Sequence, residues 1–190
     1  QPFQRVYLVS CGDGLSASLA AAHAWEGLLD CPVEAVPAMT FAGYTAKNAA
    51  PGSLAVFISQ SGKVVRMMDA LALARRHGLQ SLVITSSPMS PLAQLDAGSR
   101  ILDLGYQRLG FVPGTSAYTY TLAALYELAA ALGKDPAAHG RIQAEMDVLP
   151  EALEAAIQAA WVPAAEFAGR LSAGDTVFCL GSGPFSGTAH

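Results

Sequence analysis

Residues 53–78 read SLAVFISQSGKVVRMMDALALARRHG. An apolar, β-prone run stops at Ser59, Gln60, Ser61 and Gly62, and a helical pattern takes over. Across residues 63–77, Val64, Met67, Met68, Leu71 and Ala74 recur at helical spacing, and Gly78 closes the helix. Strand, polar turn, helix is the building unit of a parallel sheet, because parallel neighbours require a crossover connection. The turn has two readings. Ser61 can cap the helix with its hydroxyl. Alternatively, Ser59 and Ser61 offer hydroxyls to an anion that also takes the free N–H groups at the helix start, while Gly62 lets the backbone approach. Capping needs one hydroxyl, and three consecutive polar side chains exceed that need.

The same unit recurs on both sides. RVYLVS (5–10) reads as a first strand and residues 15–29 as an Ala/Leu-rich helix. Residues 33–36 form a brief second strand, a short helix follows at 40–44, and the third strand spans 54–59. Residues 82–85 make a fourth strand, SSPMSP (86–91) a loop and RILDL (100–104) a fifth strand. A helix covers 116–132, closed by Gly133. More helix is expected at 141–148 and 151–171, broken near Pro150 and Pro163, and DTVFCLGSGPFSGTAH (175–190) starts a new strand and loop. The expected architecture is a three-layer α/β/α sandwich around a five-stranded parallel sheet, apolar on both faces. Ligands in such folds sit beyond the carboxyl ends of the strands. The loops at 10–16, 59–62, 85–90 and 109–115 are therefore the candidates.

Composition narrows the function classes. Of 190 residues, 52% are hydrophobic and 14% charged, which excludes a disordered chain. Net charge is −4 with Lys and Arg scattered, which speaks against a nucleic-acid partner. The longest apolar helical run, 118–132, contains Glu127 and falls short of the roughly 20 residues that span a bilayer, so no membrane role is expected. Cys11, Cys31 and Cys179 lack metal spacing; Cys11 and Cys179 lie in apolar strand patterns and are expected buried and reduced, in a cytoplasmic protein. The four histidines have no ligand spacing, so no metal is expected, and His23 and His77 read as structural or surface residues. The chain opens without methionine and ends in mid-motif, which reads as part of a longer chain.

Other loops offer competing signals. In CGDGLSA (11–17), Gly12, Gly14 and Ala17 match a relaxed dinucleotide-binding pattern, with Glu34 at the end of the second strand to grip a ribose. The alternative is a tight turn in which Asp13 is a surface or capping carboxylate, and Asp13 would repel a pyrophosphate. In LGFVPGTSAYTYT (109–121), Thr115 or Ser116 can cap the following helix, and Tyr118 and Thr119 can line the crevice. Ser86, Ser87 and Ser90 can supply further hydroxyls. VYLVSCG (6–12) and VFCLGSG (177–183) share one pattern, which suggests an internal repeat.

Taken together, FISQSG (57–62), the first strand with its CGDG turn, and FVPGTSAYTYTLAALYELA (111–129) resemble the sugar isomerase (SIS) domain family over residues 6–132, with a second unit starting near Val177. The resemblance implies a flavodoxin-like fold. It implies phosphate binding by Ser59, Gln60, Ser61 and Gly62, and sugar contacts from Gly12, Asp13, Val112 and Thr115. It divides the chain into a first SIS unit (1–135), a helical linker (136–174) and the start of a truncated second unit (175–190). The implied ligand is a sugar phosphate, including aminosugar phosphates, and the implied assembly is a homodimer with no cofactor. The implied activity is that of an aldose–ketose isomerase or an aminosugar-phosphate deaminase or deglycase, whose acid and base come from the second unit or a partner subunit. A non-catalytic phosphosugar sensor and an NAD(P)-dependent enzyme are the alternatives. The family loop usually continues Glu-Thr where this chain has Lys63 and Val64, which costs one hydroxyl.

Overall fold

Alternation along the central strands decides which helices lie on which face. The computed structural model describes residues 3–95, 100–105 and 114–190. Strands β1 (Val6–Ser10), β2 (Val33–Pro37), β3 (Leu54–Ile58), β4 (Gln80–Thr85) and β5 (Arg100–Asp103) form one sheet in the order β2-β1-β3-β4-β5. Every neighbouring pair is parallel. Val6 and Leu8 of β1 with Leu54, Val56 and Ile58 of β3 pack on helices α1 (Asp13–Leu29) and α5 (Thr115–Leu132). Tyr7, Val9, Ala55 and Phe57 point the other way, onto helix α3 (Val65–Arg76) and the helical turn that begins at α2 (Ala38–Thr40). Both faces are covered, so β1 and β3 are buried throughout. The expected three-layer α/β/α sandwich with five parallel strands is the observed fold.

Large side chains lock each layer. Trp25 is fully buried between α1 and α5, and its indole N–H donates to the Leu125 carbonyl at 2.9 Å. On the opposite face Phe41 meets Tyr7 and Phe57 edge-on, with centroids 5.6 and 5.7 Å apart. Phe41 belongs to a π-helical turn, Phe41–Thr45, that continues α2 and ends in the 3₁₀ turn Ala46–Asn48. Helix therefore covers more than the expected residues 40–44.

The strand order places the ligand crevice. The chain steps from β1 outward to β2, then returns to pair β3 on the other side of β1. Crossovers leave in opposite directions at that point, which opens a crevice beyond the carboxyl ends of β1 and β3. Ser10 and Ile58 stand level there.

Several expectations are corrected. Helix α6 (Pro136–Ala168) runs unbroken through Pro150 and Pro163. Each proline removes one ladder hydrogen bond and crowds the carbonyl four residues earlier, yet the helix continues past both. Residues 175–180 form no strand, because no neighbouring strand offers them a ladder; Leu180 is 90% exposed. A helix, α7 (Pro184–Ala189), follows them. Helix α4 (Pro91–Leu95) starts at the last residue of the expected 86–91 loop and extends into a stretch for which no element is expected. Cys11 and Cys179 are exposed, one because it lies just past the end of β1 and the other in the unpaired segment. Cys31 is the buried thiol, and burial pushes its pKa up. His23 and His77 are exposed, as surface residues. No helix among the described residues is long and apolar enough to cross a membrane.

Replacing Trp25 with Ala removes the pin between α1 and α5, and a loss of about 3–5 kcal/mol of unfolding free energy is expected. Urea titration followed by circular dichroism measures it; a loss below about 1 kcal/mol would show that the α1–α5 layer does not depend on this side chain.

Candidate functional site

The Ser59–Gly62 turn is pinned by its carbonyls. The Ser59 carbonyl accepts the Gly62 N–H at 3.1 Å. The Gln60 carbonyl accepts three donors from the end of β4: Thr85 Oγ1 at 3.1 Å, Ser86 Oγ at 3.3 Å and the Ser86 N–H at 3.1 Å. The Gly62 carbonyl accepts the Leu92 N–H of α4 at 3.0 Å. Two donors of the turn, and one just beyond it, are left over. The N–H groups of Gln60, Ser61 and Val64 have no protein acceptor among the described residues. Ser59 is 7% exposed, and its hydroxyl likewise has no partner.

Gly62 is the residue that permits this arrangement. Its φ is +59°, in the left-handed region, and a Cβ there would collide with the Ser90 side chain. Ser61 does not cap α3: the cap position is Val64, without a side-chain bond, and Ser61 Oγ instead accepts the Lys63 N–H at 3.3 Å. Serine at 61 thus supports the turn, two residues ahead of the helix.

These groups face a cavity of about 190 Å³. Ser59, Gln60 and Ser61 form one wall, with Ile58, Val64 and Met67 beside them. Cys11, Asp13 and Gly14 close the second side, and Ala117 and Thr121 of α5 the third. Gly62 lies behind the turn against Ser90 and does not line the cavity. Gly12 caps α1 with φ 56° and ψ −135°, which delivers Asp13 to the first turn of that helix. The Asp13 carboxylate abuts Gly114, the cap residue of α5, where a Cβ would strike it. A carboxylate is favoured beside a helix N-terminus.

A second groove joins the cavity at Asp13. Thr115 lies there, together with Ser16, Tyr118, Thr119, Thr188 and His190. Thr119 Oγ1 turns back to the Thr115 carbonyl at 3.0 Å, while Tyr118 Oη and Thr188 Oγ1 are 2.8 Å apart. Val112 lies outside the described residues. Ser86, Ser87 and Ser90 do not line the cavity; Ser86 and Ser90 brace the turn from behind. Lys63 is exposed and also stands apart, so Asp13 is the one charged side chain among the cavity-lining residues described. No group of metal-ligating side chains occurs among the described residues.

Glu34 is corrected. It is the second residue of β2, level with Tyr7, and pairs with Arg5 at 3.4 Å. The strand runs on to Pro37, so Glu34 sits about 10 Å short of the crevice at 3.3 Å rise per residue. The acid that a dinucleotide ribose needs is therefore at the wrong end of the strand. Sequence reasoning also missed Thr85, whose hydroxyl anchors Gln60, and Thr121. The available signal for Thr121 was its place in the apolar stripe Ala117, Leu125, Ala129, four residues apart.

Comparison with known proteins identifies the family and supports the fold. The model of the SIS domain family matches residues 3–131. The glutamine–fructose-6-phosphate aminotransferase (isomerizing) of Streptococcus mutans is 28% identical over 190 residues, which is 96% of this chain and 30% of the relative. The chain thus spans less than a third of the length of that curated relative. Among solved structures, the C-terminal domain of glucosamine-fructose-6-phosphate aminotransferase from Francisella tularensis superposes with a TM-score of 0.65 at 22% identity, over 77% of this chain and 42% of that one. Glucosamine-6-phosphate deaminase from Thermotoga maritima superposes with a TM-score of 0.62 at 20% identity, over 74% and 44% of the two chains.

Gly62→Ala tests the turn. Left-handed strain and the clash with Ser90 together are expected to cost about 2 kcal/mol or more. Thermal unfolding of the variant should fall by several degrees; an unchanged midpoint would show that the turn does not need glycine.

Proposed function

The chain belongs to the SIS domain family, and from that premise we propose that it binds a phosphorylated sugar, with the phosphate in the cavity at Ser59, Gln60 and Ser61 and Gly62 shaping the turn. The observation that carries this reading is the inversion of the turn: its Ser59, Gln60 and Gly62 carbonyls are consumed by protein donors, while three N–H groups and the Ser59 hydroxyl are left for a ligand. Such a surface suits an oxyanion and repels a cation. The sugar extends past Gly12 and Asp13 toward Thr115, along the groove that adjoins the cavity. Val112 completes the proposed sugar contacts.

The activity proposed is that of an aldose–ketose isomerase or an aminosugar-phosphate deaminase or deglycase. In either case a base moves a proton between adjacent carbons of the open-chain sugar, and an acid serves the carbonyl oxygen. Phosphate contacts remote from those carbons hold them in register for the transfer. The acid and base are assigned to a second unit or a partner subunit. A cytoplasmic homodimer is the setting this reading takes.

We assign residues 1–135 to a first SIS unit, 136–174 to a linker and 175–190 to the start of a second. Two observations support the division. Gly183 caps α7 with φ 55° and ψ −132°, close to Gly12 at the start of α1 with φ 56° and ψ −135°. When the two glycines are equated, Gly187 corresponds to Ser16, and a Cβ on Gly187 would strike the backbone of Ser16 and Ala20. Equivalent positions of α1 and α7 therefore meet each other, as in a contact about a two-fold axis.

A thermal-shift panel with fructose 6-phosphate, glucosamine 6-phosphate, NAD and NADP tests the ligand. Sugar phosphates should raise the midpoint of the wild-type chain, and Ser59→Ala/Ser61→Ala should lose most of that shift. A shift undiminished in the double variant would overturn the phosphate assignment, and stabilisation by dinucleotides alone would overturn the ligand class. For the division into units, Gly187→Ala should release α7 from α1 and speed limited proteolysis after residue 170, with the midpoint of the sheet core unchanged. Equal cleavage rates would count against the α1–α7 contact.

A further inference from the structure

Seven polar residues are buried among those described: Ser10, Ser18, Ser53, Ser59, Thr85, Ser90 and Thr121. Most are accounted for within the protein. Ser10 and Ser18 hydroxyls lie 3.2 Å apart, and Ser18 donates to the Gly14 carbonyl. Thr85 anchors Gln60, and Ser90 Oγ accepts the Ala93 N–H. Ser53, just before β3 at the far end of the sheet, is an isolated exception. The other two exceptions, Ser59 on the turn after β3 and Thr121 on α5, line one cavity.

Thr121 is 4% exposed and sits inside α5. A threonine within a helix ordinarily ties its hydroxyl to the carbonyl one turn back. Thr119 does so, on the Thr115 carbonyl at 3.0 Å. Thr121 makes no such bond to Ala117, and no other described residue takes its hydroxyl. Unlike the Ser53 hydroxyl, that of Thr121 is not shut off from solvent, and Thr121 borders the space where the turn leaves N–H groups without partners. The cavity walls described carry no cation, so a phosphate there depends on the number of neutral donors that surround it.

We propose that Thr121 is a phosphate-binding residue, donating its hydroxyl from α5 to the anion held on the opposite side by the Ser59–Ser61 turn. This rests on the phosphosugar reading above. It adds a contact from the third wall of the cavity, supplied by a helix that begins far along the chain from the turn. The bound phosphate would then sit between β3 and α5, and α5 would close on it.

Isothermal titration calorimetry on the wild type, Ser59→Ala, Thr121→Val and Thr121→Ser, with inorganic phosphate and with fructose 6-phosphate, tests the proposal. Thr121→Val keeps the shape and removes the hydroxyl, and should weaken both probes by the same factor, about tenfold. Thr121→Ser should restore most of the affinity. The unliganded Thr121→Val protein should melt no lower than wild type, since it loses an unpaired polar group; a lower midpoint would point to a structural role and overturn the proposal. Weakening confined to fructose 6-phosphate would overturn the phosphate contact. If wild type binds both probes and Ser59→Ala weakens them while Thr121→Val stays within twofold, the role of Thr121 fails and the phosphosugar reading stands. If wild type binds neither probe, both fail.

Discussion

The Gln60 carbonyl is the point on which the site turns. Three donors from the end of β4 converge on it, so the Gln60–Ser61 peptide cannot rotate without abandoning them. Its orientation decides which face of the next peptides looks into the cavity. The Gln60 carbonyl is held toward β4 and the Gly62 carbonyl toward α4, while the N–H groups of Gln60, Ser61 and Val64 have no acceptor among the described residues. A turn of the same sequence with that peptide flipped would present oxygen to the cavity and exclude an anion. Gly62 is what allows the chain to leave this turn, through a left-handed φ and against Ser90. The serines that follow β4 therefore shape the cavity indirectly, by holding the turn.

The charge logic follows from topology. In a parallel sheet with helices as crossovers, each helix after a strand starts at the carboxyl edge. Helices α1, α3 and α5 start at Asp13, Val65 and Thr115, and their first turns surround the crevice at the β1/β3 switch. Each contributes a partial positive charge of about half a unit at its N-terminus. The site can thus favour an anion through peptide dipoles and hydroxyls, with no lysine or arginine on the described walls. Asp13 fits that picture because it leans on the start of α5, where the helix offsets its charge, and it stands at the boundary between the cavity and the neighbouring groove.

Much of the fold was legible because burial on both sides leaves continuous apolar strands, as in Leu54–Ile58. What failed was whatever depends on neighbours. Residues 177–180 have strand-like side chains but no strand beside them, so their pattern produced no ladder. Prolines 150 and 163 read as breaks because local rules assign them that role, yet the turns on either side carry the helix past each of them. Glu34 is expected at the crevice end of its strand, but β2 starts at Val33 and runs on to Pro37, which leaves Glu34 near the other end. The site was half legible. Ser59, Gln60 and Ser61 are adjacent in the chain and announce themselves. Thr85 supports the turn from β4 and Thr121 lines the cavity from α5, and only the four-residue spacing of Thr121 with Ala117, Leu125 and Ala129 separates it from Thr119.

The distinction between those two threonines is a matter of helical phase. Thr119 is exposed and satisfies itself on its own helix. Thr121 lies on the stripe of Ala117, Leu125 and Ala129 that faces the sheet, where Leu125 is already engaged with Trp25. Trp25 fixes the rotation of α5 against α1, because its indole bond to the Leu125 carbonyl tolerates little turning of the helix. One turn before Leu125, that rotation brings Thr121 to the cavity wall. A core contact well below the crevice thus sets which hydroxyl of α5 lines the cavity, and the packing of the core and the lining of the cavity are two consequences of the same helix orientation.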